Sequence, residues 1–199
     1  MSKHYWSSKK REDFIPLDFS FSYRGRSYNW IGSKSVFAGK SFDRGSRLLL
    51  DTFLNEYGLS SQLDGSKHNI LDLACGTGII GLLIAERLHE EGKARVLMSD
   101  ISAAAVECSK ENRDNMLKGV NALREEDVLL LRAKGLQAFS RVFSAVLLNP
   151  PIRAGNKVVF DLIEGCSRVL LPWGELYLVL RVKQGGKTIA RRSKEWFSS

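Results

Sequence analysis

Histidine and cysteine are scarce in this chain, with three of each among 199 residues. Cys75, Cys108 and Cys166 form an odd set with no regular spacing, each in an apolar or motif context. That argues against a disulfide framework and fits reduced thiols in a cytoplasmic compartment. No His/Cys pair has metal-ligand spacing, so no metal centre is expected. Every apolar run is too short to span a bilayer. Met1-Ser2-Lys3-His4-Tyr5-Trp6 carries no apolar stretch of the signal-peptide kind, and a cytoplasmic location without membrane contact is the expectation. No internal repeat is visible. Acidic residues are outnumbered, 22 against 30 Lys and Arg, giving a net charge of +8.

Hydrophobic residues make up 44% and charged residues 26%, a globular composition long enough for one domain with a substantial core. The basic residues cluster: Lys9-Lys10-Arg11, Arg24/Arg26, Lys40/Arg44/Arg47, Arg153/Lys157 and Arg181/Lys183/Lys187/Arg191/Arg192. A basic soluble surface explains this blandly. A polyanionic partner explains it more sharply, since Lys and Arg contacts to phosphate dominate nucleic-acid affinity.

Residues 1–17 read as a loose polar arm. Phe19, Phe21 and Tyr23 alternate with Ser20, Ser22 and Arg24, Gly25 supplies a turn, and Ser27–Ile31 can return as a second strand, so a β-hairpin is predicted. It cannot stand alone and should pack on the main domain. The expected division is an arm and hairpin over 1–45 and a sheet domain over 46–199. Asp43 or Ser46 can cap a helix running to about Tyr57, ended by Gly58. From Asn69 strands and helices alternate: strand 70–74, helix 79–88, strand 95–99, helix 102–115, a short strand before or overlapping Asp127, strand 142–148, helix 157–170, strand 175–181 after a Pro172-Trp173-Gly174 turn, and a basic helix 188–197. Alternation of this kind predicts an α/β fold, a parallel sheet with helices on both faces.

Two stretches carry the chemistry. Val142–Leu148 suits a strand buried on both faces, and Asn149-Pro150-Pro151-Ile152 ends it abruptly, because neither proline can donate to a ladder. Asn149 thus stands at the carboxyl end of a central strand, where open α/β sheets bind ligands. Its side-chain oxygen and the Pro150 carbonyl can accept two N–H bonds from one planar amine. A proline-stiffened loop is the bland reading. The second stretch, Gly76-Thr77-Gly78-Ile79-Ile80-Gly81, follows a strand and opens a helix, with Asp100 about 20 residues on, ending the next strand. Glycines admit a close ligand, the helix N-terminus favours an anion, and Asp100 can accept bonds from two vicinal ribose hydroxyls. A nicotinamide dinucleotide satisfies this pattern. Asp72, inside the strand before the loop, repels a pyrophosphate and suits an ammonium or sulfonium, unless it is a satisfied structural acid.

Together Asp72-Leu73-Ala74-Cys75-Gly76-Thr77-Gly78, Asp100 and Asn149-Pro150-Pro151-Ile152 resemble the motifs of class I S-adenosylmethionine-dependent methyltransferases. Ser35-Val36-Phe37-Ala38, Asp43-Arg44-Gly45-Ser46-Arg47-Leu48-Leu49, the run from Asn149 to Val159 and Val182-Lys183-Gln184-Gly185 resemble the methyltransferase small domain family. Its best known members methylate guanine N2 in small-subunit ribosomal RNA. The resemblance implies a Rossmann-like sheet and S-adenosyl-L-methionine as cofactor. It implies contacts to that cofactor from Phe37, Asp72, Ala74, Cys75, Gly76, Gly78, Asp100, Ile101, Asn149 and, at the adenine amine, Asp127. Asn149, Pro150, Pro151 and Ile152 become the catalytic motif, and Arg153, Lys157 and Lys183 the contacts to an RNA partner. Ile152 replaces the aromatic residue of many amino-methylating relatives. The resemblance also implies two further C-terminal strands, for which no sequence remains after Phe197, leaving Leu176, Leu178 and Leu180 on an exposed edge. Methylation of adenine N6 or of a protein glutamine, a nicotinamide oxidoreductase, and an inactive RNA-binding module remain as alternatives.

Overall fold

The computed structural model describes residues 14–36, 39–60, 68–89, 94–119 and 123–197. A two-stranded antiparallel hairpin comes first, β1 (Pro16–Tyr23) and β2 (Arg26–Ser33), with Tyr23 opposite Arg26. Arg24 and Gly25 both take positive φ, 46° and 80°, the handedness that a tight hairpin turn demands. Phe21 stacks on Tyr28 at 5.2 Å and meets Trp30 edge-on, so the alternating aromatics share one face and enter the main core.

Helix α1 (Arg44–Ser60) is followed by β3 (His68–Leu73), α2 (Ile79–His89), β4 (Ala94–Asp100), α3 (Ala103–Gly119), β5 (Val128–Arg132), β6 (Phe143–Leu148), α4 (Asn156–Val169), β7 (Leu170–Leu178) and α5 (Gly186–Ser193). The five strands β3–β7 form one sheet in the order β5-β4-β3-β6-β7, and all its pairings are parallel. β3 lies at the centre, and β4 and β6 leave it in opposite directions. The chain therefore reverses its winding beside β3, which opens a crevice at the carboxyl ends of β3 and β6. Two apolar clusters cover the sheet. Leu50, Phe53, Leu82, Ile84, Met98 and Leu147 build one with the hairpin, and Leu71, Val146, Leu148, Val159, Ile163 and Ile189 build the other. From Ala145 to Leu148 the side chains of β6 alternate between the two, which is why that run is apolar throughout.

Several boundaries differ from those read in the sequence. α1 continues through Gly58 to Ser60, because one glycine is tolerated in a helix. β7 begins at Leu170 and passes through Pro172-Trp173-Gly174. Its register on β6 jumps from Phe143↔Leu170 to Ala145↔Glu175, so the proline falls where the ladder is broken. Leu176, Leu178 and Leu180 are not bare: they are partly buried against the cluster that includes Ile189 of α5, with Trp196 and Phe197 beside it. β5 follows Asp127 rather than preceding it.

Candidate active site

The crevice is a cavity of about 630 Å³. Three parts of the chain wall it: the segment between the hairpin and α1, the turns after β3 and β4, and Asn149–Ala154 with Val179 and Arg181. Its size falls in the range that encloses a cofactor-sized molecule.

The glycine loop is built by backbone conformation. Ala74, Gly76 and Gly78 take positive φ of 59°, 61° and 78°. Ala74 is the unusual one, a residue with a Cβ in a region costing about 1–2 kcal/mol, and it lines the cavity. The glycines divide their work. Gly76 faces the cavity and gives its N–H to Asp100 Oδ2 at 3.0 Å. Gly78 lies outside the cavity lining; a Cβ there would meet Ser109 Oγ at 2.9 Å, so it serves the approach of α3. Gly81 lets α2 sit on β4, where a Cβ would stand 2.6 Å from Met98 Cγ. Trp30 Nε1 donates to Thr77 O, and Asn112 Nδ2 donates to both Thr77 O and Ile31 O, tying the hairpin to the loop.

Both acids bordering the loop are held by backbone donors. Asp72 is 2% exposed, and its Oδ2 accepts the Gly81 N–H at 2.8 Å. Burial pushes its carboxyl up to about 7; the Gly81 bond opposes the rise and the charge of Asp100 adds to it. Asp100 accepts from Ser102 N on Oδ1 and from Gly76 N on Oδ2, and burial still raises it above its ordinary value. Both acids line the cavity, as do Cys75 and Ile101. Burial and the two carboxylates drive the Cys75 thiol far upward, so it stays protonated and is no nucleophile.

Across the crevice Asn149 Nδ2 donates to Ser46 Oγ at 2.9 Å. That spends an amide N–H on α1 and leaves Oδ1 as the atom able to accept. The Pro150 carbonyl is not bare, as the sequence suggested: it receives the Ile152 N–H at 2.8 Å across a tight turn at Pro151 (φ −73°, ψ 77°). A carbonyl has a second lone pair, so it can still take one more donor. Pro150, Pro151 and Ile152 all line the cavity.

Not every expected residue belongs here. Asp127 is corrected. β5 pairs with β4 so that Val128 faces Val96 and Arg132 faces Asp100, which puts Asp127 at the opposite end of the sheet from the crevice. It is buried there and bonded to Arg124. Arg132 and Ala133 occupy the crevice end of β5, holding Ile101 O and Asp100 O. Phe37 lies outside the described residues. Arg153 lines the cavity and is exposed; Lys157 lies outside its lining, 87% exposed and paired with Asp161 at 3.1 Å; Lys183 is exposed beyond the rim. The sequence reading gave Ser46 no role beyond helix capping. Its partner is 103 positions away, a separation at which no local pattern exists.

A methyltransferase small domain model matches residues 27–197. The chain belongs to the methyltransferase small domain family. It is 33% identical over 198 residues to the uncharacterized protein YbxB of Bacillus subtilis, covering 99% of this chain and 90% of that one. It is 31% identical over 175 residues to ribosomal RNA small subunit methyltransferase C of Actinobacillus pleuropneumoniae, covering 84% of this chain and 46% of that one. Among solved structures, the T. thermophilus 16S rRNA N2 G1207 methyltransferase (RsmC), determined with AdoMet and guanosine, superposes with a TM-score of 0.71 at 22% identity, covering 93% of this chain and 46% of that one. The chain thus spans about half the length of its small-subunit methyltransferase relatives. The fold is that of S-adenosylmethionine-dependent methyltransferases. Among the described residues no helix is long and apolar enough to cross a membrane, and no cluster of His, Cys, Asp and Glu could hold a metal.

Proposed function

We propose that this chain transfers a methyl group from S-adenosyl-L-methionine to an exocyclic amine of RNA, namely guanine N2 of small-subunit ribosomal RNA. The observation that carries the reading is the pairing across one cavity of an anchored Asn149 amide with the Gly76 turn and Asp100. The residues suit the cofactor. Asp100 has lone pairs left for two ribose hydroxyls, Asp72 offers a buried acid to an ammonium, and Gly76 lets a ligand lie close. Ala74, Cys75 and Ile101 supply the remaining wall; Gly78 acts behind it, through packing.

The sulfonium supplies a methyl of electrophilic character. The protein's part is positioning. A guanine amine is a weak nucleophile because its lone pair is delocalised into the ring. Asn149 Oδ1 and the Pro150 carbonyl each accept one of its N–H groups, favouring a pyramidal nitrogen whose lone pair faces the methyl. Holding the two reactants at about 3–3.5 Å supplies much of the acceleration. Charge is partly neutralised on the way to the transition state, so no strong base is needed, and the proton leaves late. Pro151 and Ile152 stiffen the turn. A paired target base leaves its stack to enter.

Arg153, with Arg181, holds phosphates at the rim, Lys183 extends that track, and Lys157 contributes less because Asp161 partners it. We propose a hairpin unit over 1–45 and a catalytic unit over 46–199, the first contributing Lys34, Ser35, Val36, Ser41, Asp43 and Gly45 to the cavity wall. Transfer of labelled methyl to ribosomal RNA, followed by nucleoside identification, tests the reading. Labelled N2-methylguanosine supports it, and label in another nucleoside, or in protein, contradicts it.

A further inference from the structure

Helix α5 begins at the crevice. Gly186, its first residue, gives its N–H at 3.2 Å to the carbonyl of Arg181, a residue of the cavity wall. One side of the helix is spent on the core. Ile189 is buried there, and the Arg192 guanidinium lies over the Phe160 ring of α4 at 4.2 Å. Lys187, Arg191 and Lys194 are exposed. Lys194 caps the helix in the same right-handed conformation, so the three stand at i, i+4 and i+7 and form one row.

Helix stability does not account for this row. Like charges three and four residues apart repel one another. Lys187 also stands in the first turn, where the helix dipole disfavours a cation. The adjoining α4 shows the ordinary remedy: Lys157 pairs with Asp161 at 3.1 Å and Arg168 with Glu164 at 2.6 Å, each four residues apart. α5 lacks it. From Leu176 to Lys194 the chain carries Arg181, Lys183, Lys187, Arg191, Arg192 and Lys194 and no acid. Among the described residues no ion pair reaches Lys187, Arg191 or Lys194.

A row of unpaired cations calls for a polyanion. A lipid surface suits it poorly, because a helix lying in a membrane needs a free apolar face, and Ile189 of α5 is already packed into the core. A nucleic-acid backbone suits it well. The row from Lys187 to Lys194 is about 10 Å long, and phosphates recur roughly every 3.4 Å along one strand of a duplex, so it faces about three of them.

We propose that the Lys187–Arg191–Lys194 face of α5 is a docking surface for the phosphate backbone of the RNA strand leading away from the crevice. The proposal rests on the RNA-methylating reading above for the identity of the polyanion. It adds to the contacts at the crevice mouth a second group that carries the strand onward and fixes register without reading bases.

Replacing Lys187, Arg191 and Lys194 together by glutamine tests it. Glutamine forms helix about as well as Lys and Arg, and the three side chains are exposed, so the melting temperature should hold. Binding of the full chain to ribosomal RNA is measured from low to high salt, beside a control that loses as many charges from β4 and α3: Arg95→Gln with Lys110→Gln and Lys118→Gln. The slope of log affinity against log salt should fall by about 2 in the α5 variant and by less than about 0.5 in the control. In the α5 variant kcat/KM for labelled methyl transfer to ribosomal RNA should drop about tenfold, with S-adenosylmethionine affinity unchanged. An unchanged slope overturns the proposal; if binding to phosphatidylcholine vesicles containing phosphatidylserine is lost instead, the face belongs to a membrane. Equal falls in variant and control also overturn it, reducing the row to generic charge. If the slope changes as expected and wild-type protein still methylates no RNA, the docking surface stands and the amine-methylating reading falls.

Discussion

Among single residues, Asp72 carries the most distinctive charge state. Burial lifts its carboxyl from 3.8 to about 7. The folded protein thus binds this proton more tightly than the unfolded chain does. The stabilisation is complete below pH 3.8 and is lost as pH rises through about 7, at a cost on the order of 4 kcal/mol. Cofactor-free Asp72→Asn should accordingly melt above wild type at about pH 8, with the difference shrinking towards about pH 4. An ammonium held beside Asp72 favours the ionised acid. Cofactor affinity of the wild type should therefore rise with pH up to about 7 and flatten above, and the variant should bind more weakly with no such rise. Calorimetry across that range checks both, and a flat wild-type profile would count against the assignment. Ser46 makes a second residue-scale test. Ser46→Ala frees the Asn149 amide to rotate and should lower kcat about tenfold with cofactor affinity unchanged; Ser46→Thr, which restores a hydroxyl, should recover most of the rate.

At the scale of elements, Asn112 of α3 couples the hairpin to the glycine loop. It accepts from Ile31 N at 2.8 Å and donates to Ile31 O and Thr77 O, all while buried. Asn112→Ala strands these groups and should cost about 2–4 kcal/mol in melting experiments, with faster hydrogen exchange at the Ile31 amide. Unchanged exchange there would mean the hairpin docks by its aromatics alone. Most elements were legible before the structure, because two-sided burial writes continuous apolar strands such as β6 and one-sided burial writes the stripe of α4. β5 was less so. Leu129 and Leu131 are exposed, so the run Val128–Leu131 carries no clean period, and where a short strand is expected before or overlapping Asp127 the chain instead forms the turn Glu125–Asp127 at the amino end of β5. β7 was misjudged where Pro172 and Gly174 mark a bulge rather than a turn.

Over the whole molecule, the charge of +8 and the two arginines lining the cavity support the proposed phosphate contacts. RNA affinity should fall linearly with log salt, and removing Arg153 and Arg181 together should reduce that slope by roughly 1–2, whereas Lys157→Ala should leave it nearly unchanged. Equal effects of all three would reduce the rim to generic charge. The crevice itself was foreseeable from order alone, since Gly76, Asp100 and Asn149 each follow or end a strand of one parallel sheet and Asp72 lies inside β3, one residue from its end. The α1 contribution was hidden, because Gly45 and Ser46 read locally as a helix start and join the cavity wall only when α1 packs against α2 and β7. The central claim is that Asn149 chiefly orients the acceptor amine, and that the contact expected between it and the donor adds little to the donor's affinity. Asn149→Ala, assayed for labelled methyl transfer to ribosomal RNA and for S-adenosylmethionine affinity on the same preparation, tests it most directly. Transfer should vanish while affinity stays within about twofold of wild type; retained transfer, or a parallel loss of both, would contradict it.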